Sequence, residues 1–115
     1  MSERLRPPDR IRRRADYLRI QKKGARSQGR FLTLIALPNE TGNPRLGVTA
    51  SRRLGGAARR NRAKRLIREV FRRNKPAGGV DLVVIPKPEL FGASLAALIE
   101  DFRAALRRHA GTIRS

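Results

Sequence analysis

Residues Leu46 to Phe71 read LGVTASRRLGGAARRNRAKRLIREVF, and the fold turns on how this run divides. Leu46, Val48 and Ala50 alternate with Gly47, Thr49 and Ser51, the period of a strand with one apolar face. That strand covers Arg45 to Ser51, and Leu54-Gly55-Gly56 breaks it. From Ala57 the period lengthens to that of a helix. Ala63, Leu66, Ile67, Val70 and Phe71 share one stripe, Asn61, Lys64, Arg65, Arg68 and Arg72 lie opposite, and Arg60 and Arg62 flank the stripe. The spacing predicts a helix over 57–73, stopped by Pro76, Gly78 and Gly79. One side docks on a sheet. The other presents cations about 5.4 Å apart along the axis, a repeat that can follow a phosphate backbone. Gly55-Gly56 leaves the first helical N–H groups uncrowded, so a phosphate could also sit there. Glu69 is the only acid in the helix. A face of this kind repels itself, and an anionic partner explains it better than a merely solvated surface does.

Upstream, Arg14 to Lys23 has a helical pattern, with Tyr17 and Ile20 on one side and Gly24 as a stop. A short strand is weakly signalled at Arg26 to Gly29. In Arg30 to Leu37, Phe31, Thr33, Ile35 and Leu37 alternate with Leu32, Leu34 and Ala36, a strand buried on both faces. Pro38 to Pro44 is turn chemistry, and the simplest reading joins the strands on either side as a hairpin. Downstream, Asp81 to Pro86 (DLVVIP) is an inner strand and Lys87 to Gly92 a loop. Ser94 caps a last helix that buries Leu95, Leu98, Ile99, Phe102 and Leu106. The order is α-β-β-β-α-β-α. An α+β chain of this kind makes one sheet with helices mainly on one face, a two-layer α/β sandwich. A single domain is expected over 1–115, with about the first 12 residues, broken by Pro7-Pro8, as a flexible basic arm.

The 115 residues carry 28 Lys plus Arg against 9 Asp plus Glu, a net charge of +19. Residues 1–30 hold eleven of the cations against Glu3, Asp9 and Asp16; residues 52–75 hold eleven more against Glu69 alone. Clustering of this sort is the footprint of a phosphate-binding surface. The absence of Cys removes disulfides, thiolate nucleophiles and Cys-based zinc sites. No apolar run approaches the ~20 residues of a membrane span, and the basic N-terminus lacks the apolar core of a signal peptide. A cytoplasmic protein with a polyanionic partner is expected, with no membrane role. A helix-turn-helix is disfavoured because both neighbours of helix 57–73 are strands, and DNA is not the expected partner. Phosphodiester hydrolysis needs metal-activated water or a positioned base, and the chain offers neither. Its one His, His109, falls at the C-terminus of the last helix, where the dipole favours a cation. Glu100 and Asp101 are adjacent and point to different sides, and Ser51 has no base nearby in sequence. No catalytic residue and no metal ligand is assigned.

The opening stretch resembles the bacterial ribonuclease P protein component, whose hallmark helix has the form RNRxKRxxRE. Arg60-Asn61-Arg62-Ala63-Lys64-Arg65-Leu66-Ile67-Arg68-Glu69 matches it completely. The preceding GxSxSKKxGNA pattern is met by Gly47, Thr49, Ser51, Arg52, Arg53, Gly55 and Ala57. Gly56 replaces the usual Asn and removes a possible N-cap. Asp16-Tyr17 with Gly24, and Asp81 to Ile85, match the family's first helix and its later strand. The resemblance implies a fold like the second domain of ribosomal protein S5, with a left-handed βαβ crossover where about 98% of crossovers are right-handed.

It also implies a subunit of an endoribonuclease. Such a subunit binds the catalytic RNA and assists removal of the 5′ leader from precursor tRNA, the RNA and its Mg²⁺ supplying the chemistry and the protein alone binding no cofactor. Carried onto this chain, Arg52, Arg53, Arg60, Asn61, Arg62, Lys64, Arg65, Arg68 and Arg72 would bind the catalytic RNA. Tyr17, Gln21, Lys22, Phe31, Thr33, Ile35 and Thr49 would form the leader cleft. Gln21 stands where the family often has a second Phe, so leader stacking is expected to be weaker or differently placed. For Tyr17 the competing role is half-buried core, and for Phe31 and Ile35 ordinary core. The competing function is a structural ribosomal or other RNA-binding protein of the same fold without a leader site.

Overall fold

The computed structural model describes residues 9–109. It contains α1 (Arg14–Lys23), β1 (Ala25–Gln28), β2 (Leu32–Pro38), β3 (Arg45–Val48), α2 (Ala57–Arg73), β4 (Val80–Pro86) and α3 (Leu95–Arg108). Short 3-10 turns at Arg52–Leu54 and Pro88–Gly92 precede α2 and α3. The element order is the expected one. Gly24 ends α1, though not through a left-handed backbone, since its φ is −74°. Space decides instead. A Cβ at Gly24 would lie 2.6 Å from both the Ile20 carbonyl oxygen and Ile35 Cγ2.

The sheet runs β1-β2-β4-β3. β2 is antiparallel to both β1 and β4, and β3 is parallel to β4. The expected hairpin between β2 and β3 therefore does not form, because β4 lies between them. β4 is buried along nearly its whole length and needs a hydrogen-bonding neighbour on each side. The α2 crossover returns the chain parallel to β3. The turn after β2 is held locally: Asn39 Oδ1 accepts from the Thr41 N–H at 3.0 Å, and its amide donates to the Asn43 carbonyl at 2.9 Å.

The two sheet faces differ. Leu32, Leu34, Ala36, Leu82 and Val84 meet Ala63, Ile67, Val70 and Phe71 of α2 and Leu98, Phe102 and Ala105 of α3. This two-layer core supplies most of the buried apolar side chains, each worth about 1.5–3 kcal/mol. On the other face α1 covers a smaller cluster of Ile11, Ile20, Ile35 and Val83. Beside it Asp81, fully buried, pairs with Arg45 through two bonds of 2.7 Å and accepts a third of 2.7 Å from the Asn39 amide. Asp101 of α3 accepts the backbone N–H groups of Arg30 and Phe31, both at 2.9 Å, and so ties the β1–β2 turn to the helix layer.

Two expectations about the chain ends change. Residues 1–8 of the expected arm lie outside the described residues. Residues 9–12 run against β3, with Arg10 bridging Leu46 in parallel and the Ile11 N–H donating to the Leu46 carbonyl at 2.9 Å. His109 does sit at the α3 C-terminus, but it is only 4% exposed. Burial pushes its pKa down, so the neutral ring is favoured over the expected cation.

Candidate nucleic-acid interface

The outward side of α2 follows from its stripe: with Ala63, Ile67, Val70 and Phe71 buried, Asn61, Arg62 and Arg65 face solvent and Arg60 and Lys64 are partly exposed. Arg60, Asn61, Lys64 and Arg65 make no ion pair or side-chain hydrogen bond among the described residues. Arg72 differs. Glu69 accepts from Arg72 at 2.8 Å and also pairs with Arg73, and these two cations hold the Glu69 carboxyl below the usual range. The helix's single acid is thus spent on its C-terminal end and leaves the RNR segment unneutralised. Arg62 lies 5.9 Å from the Phe91 ring, and Arg59 stacks on the same ring at 4.0 Å. Arg59 also donates to the Leu54 carbonyl at 2.8 Å, which fastens the turn that carries Arg52 and Arg53. Both of those side chains are exposed.

Arg68 takes another direction. β3 is the edge strand of the sheet, and at that edge a groove of about 360 Å³ is lined by Arg10, Ile11, Arg12, Tyr17, Leu46, Val48 and Arg68. Tyr17 descends from α1 onto Gly47, where a Cβ would lie 2.6 Å from the ring. The glycine is needed there for close approach. Half-buried, the Tyr17 phenol has its pKa raised by burial, with the Val48 backbone, Arg68 and Arg10 acting the other way. Arg68 reaches the same groove from α2, and its pKa is lowered by burial and by Arg10. Tyr17 is therefore neither buried core nor free surface: one side of its ring rests on the sheet and the rest lines an opening.

The remaining expected cleft residues divide. Gln21 is half-buried one turn after Tyr17 and Lys22 is exposed, and neither lines the groove. Thr33 is 7% exposed and lines a second hollow of about 400 Å³ with Gln28, Ser51, Arg53, Ile85 and Lys87. Thr49 extends β3 beside it, its N–H donating to the Val84 carbonyl at 2.9 Å. Ile35 has no exposed surface and packs under α1. Phe31 packs against the core on the α2–α3 side. Neither belongs with Tyr17 in a shared opening. Ile35 takes the core role, because β2 is central and its side chains are used on both faces; Phe31, just before β2, is partly buried, with the Arg30 guanidinium 5.3 Å from its ring.

Sequence reasoning passed over Arg10, Arg12, Arg59, Lys87 and Phe91. For the first two a signal existed: Ile11 is a lone aliphatic between arginines, and it anchors the segment to the sheet. Among the described residues no three His, Cys, Asp or Glu side chains come together as a metal-ligand set. No helix there is long and apolar enough to cross a membrane.

A ribonuclease P family model matches residues 5–110. The chain is 44% identical over 85 residues to the ribonuclease P protein component of Syntrophus aciditrophicus, covering 72% of this chain and 71% of that one. It is 40% identical over 92 residues to that of Thermotoga maritima, covering 78% and 79%. In three dimensions it is similar to the RNase P protein from Thermotoga maritima, with a TM-score of 0.78 at 36% identity over 86% of this chain and 96% of that one. For the RNase P protein of Staphylococcus aureus the TM-score is 0.78 at 29% identity, over 92% and 98%. Sequence and fold agree over most of the chain, and the RNR segment stands on the exposed side of α2: this chain belongs to the ribonuclease P protein family.

Proposed function

We propose that the chain holds the catalytic RNA of ribonuclease P on the outward side of α2 and the Arg52–Leu54 turn, and guides the single-stranded leader of precursor tRNA past Tyr17. The RNA with its bound Mg²⁺ then carries out the hydrolysis, in the cytoplasm. The observation that carries this reading is the outward row of Asn61, Lys64 and Arg65, flanked by Arg60 and Arg62 and left unneutralised because the one helical acid is turned to Arg72 and Arg73. A phosphate backbone laid along that row releases counterions, so binding is favoured and weakens with salt. Arg72 would join only by sharing its guanidinium between Glu69 and a phosphate. A neutral, buried His109 supports placing the chemistry outside the protein, since the chain's one imidazole is withdrawn from any surface.

The test is cleavage of precursor tRNA at low Mg²⁺ with the catalytic RNA alone, the protein alone, and both together. Only the last is expected to cleave efficiently. Cleavage by the protein alone, or no gain from adding it, sinks the proposal. Arg65→Ala should weaken assembly with the RNA and reduce the slope of log affinity against log salt by about one. An unchanged slope would mean that Arg65 touches no phosphate.

A further inference from the structure

We propose that Arg68, although it lies on the RNR helix, binds a nucleotide of the 5′ leader together with Arg10 and Tyr17, and does not bind the catalytic RNA. This rests on the reading that the leader passes Tyr17, and it deepens it. The groove lies at the β3 edge of the sheet, where its two sides meet. Tyr17 enters from the α1 side, Arg68 from the α2 side, and Arg10 and Ile11 form a wall through their pairing with Leu46. Arg10, Arg12 and Arg68 contribute three guanidiniums to the lining, and no carboxylate lines it.

Two guanidiniums drawn partly out of water and facing one another are unfavourable without an anion between them. The lowered pKa of Arg68, caused by burial and by Arg10, is the same conflict seen from the side chain. A phosphate accepted by Arg10 and Arg68 resolves it through charge-assisted hydrogen bonds. Beside that phosphate position, the Tyr17 ring, Leu46 and Val48 complete the lining. A paired base cannot reach that ring, whereas an unpaired base can stack there. Phosphate on arginine and base on tyrosine define one nucleotide of single-stranded RNA. Arg65, by contrast, faces solvent on the outward side of α2 and does not line the groove.

The holoenzyme assembled from the whole chain and the catalytic RNA provides the test. Affinity is measured for precursor tRNA and for mature tRNA, and separately for assembly of protein with RNA, in Arg68→Gln, Arg10→Gln, Arg65→Gln and Tyr17→Leu variants whose thermal unfolding matches the parent. Arg68→Gln and Arg10→Gln should each weaken precursor binding about tenfold, the loss of one charge-assisted contact, and leave mature tRNA and assembly unchanged. Combined, they should cost less than the product of the two, because they hold the same phosphate. Arg65→Gln should weaken assembly. If Arg68→Gln weakens assembly as Arg65→Gln does and keeps the preference for precursor, the proposal is overturned. Loss of that preference in Tyr17→Leu alone also overturns it and leaves the leader reading standing. Retention of the preference in every variant removes the leader from this groove altogether.

Discussion

Helices α2 and α3 pack side by side on one face of one sheet, yet they are finished differently. α3 begins with a cap, Ser94 Oγ accepting the Ala97 N–H at 3.1 Å. Its first turn holds no cation and its last turn carries Arg107 and Arg108, which suits the helix dipole. α2 begins at Gly56 with no side-chain cap and places Arg59 and Arg60 in its first turn, where the dipole disfavours them. Both bury an apolar stripe, so packing alone does not separate them. What separates them is the treatment of the outward side and the ends. α3 is arranged for the stability of the isolated chain, whereas α2 gives up local stability to keep cations and backbone N–H groups available.

The largest effect that can sharpen this contrast is in the shared core. Phe102 is fully buried between α3 and the sheet. Phe102→Ala should destabilise the fold by about 3–5 kcal/mol, measured by urea unfolding. Arg65→Ala on α2 should leave the unfolding free energy within about 0.5 kcal/mol while weakening RNA assembly. A comparable loss of stability from Arg65→Ala would break the contrast.

A smaller effect lies at the other end of α3. His109 is buried, its ring nitrogen Nε2 finds no partner among the described residues, and burial depresses its pKa below the ordinary 6.5, with a hydrogen bond to the Leu34 backbone opposing and Arg108 adding to the shift. The unfolded chain therefore takes up a proton before the folded chain does. Stability from this residue is full above the unfolded pKa near 6.5 and is lost as pH falls through that value toward the lower folded one. Unfolding curves from pH 7.5 to 5 should show declining stability in the parent and a flatter profile in His109→Gln. Identical profiles would show that the ring is not withdrawn from water.

The helices and their stripes were legible in the sequence because they are local. The i, i+3, i+4 spacing of Ala63, Ile67, Val70 and Phe71 sets the stripe of α2 without tertiary help, and the glycine after Lys23 marks the end of α1 even though its physical reason is the close approach of Ile35. Pairing was not local. Turn residues between Leu37 and Arg45 suggest a hairpin, and only the need of Asp81–Pro86 for two neighbours argues against it. The same limit governs the site. A helical projection places Arg68 with Arg65 and Arg72, but the β3 edge, reached through contacts far apart in sequence, draws it to Tyr17. Arg10 and Arg12 were visible only as charge, since nothing local says that Ile11 docks. Asp81 with Arg45 and Asn39, and Asp101 with the β1–β2 turn, join positions 36 to 71 residues apart, beyond the reach of any periodicity.

The smallest effects test the caps themselves, and they should have opposite signs. Ser94→Ala removes the α3 cap and should cost about 1 kcal/mol, a fall of about 4–8 °C in Tm. At α2, Gly56 already holds the extended backbone of a cap, φ −73° and ψ −176°, and a Cβ there meets nothing within 4 Å. Its neighbour Gly55 is not equivalent: at φ +117°, with Arg59 Cδ 2.7 Å from its would-be Cβ, any side chain is strained. Gly56→Asn should therefore stabilise the free protein by a few tenths of a kcal/mol from capping and slightly more from a less flexible unfolded chain, raising Tm by about 2–3 °C. The added side chain would also occupy an N–H that a phosphate could otherwise use. A higher Tm with weaker RNA assembly would show that the uncapped N-terminus serves binding. A higher Tm with unchanged assembly would leave the cations as the whole of the difference between the two helices.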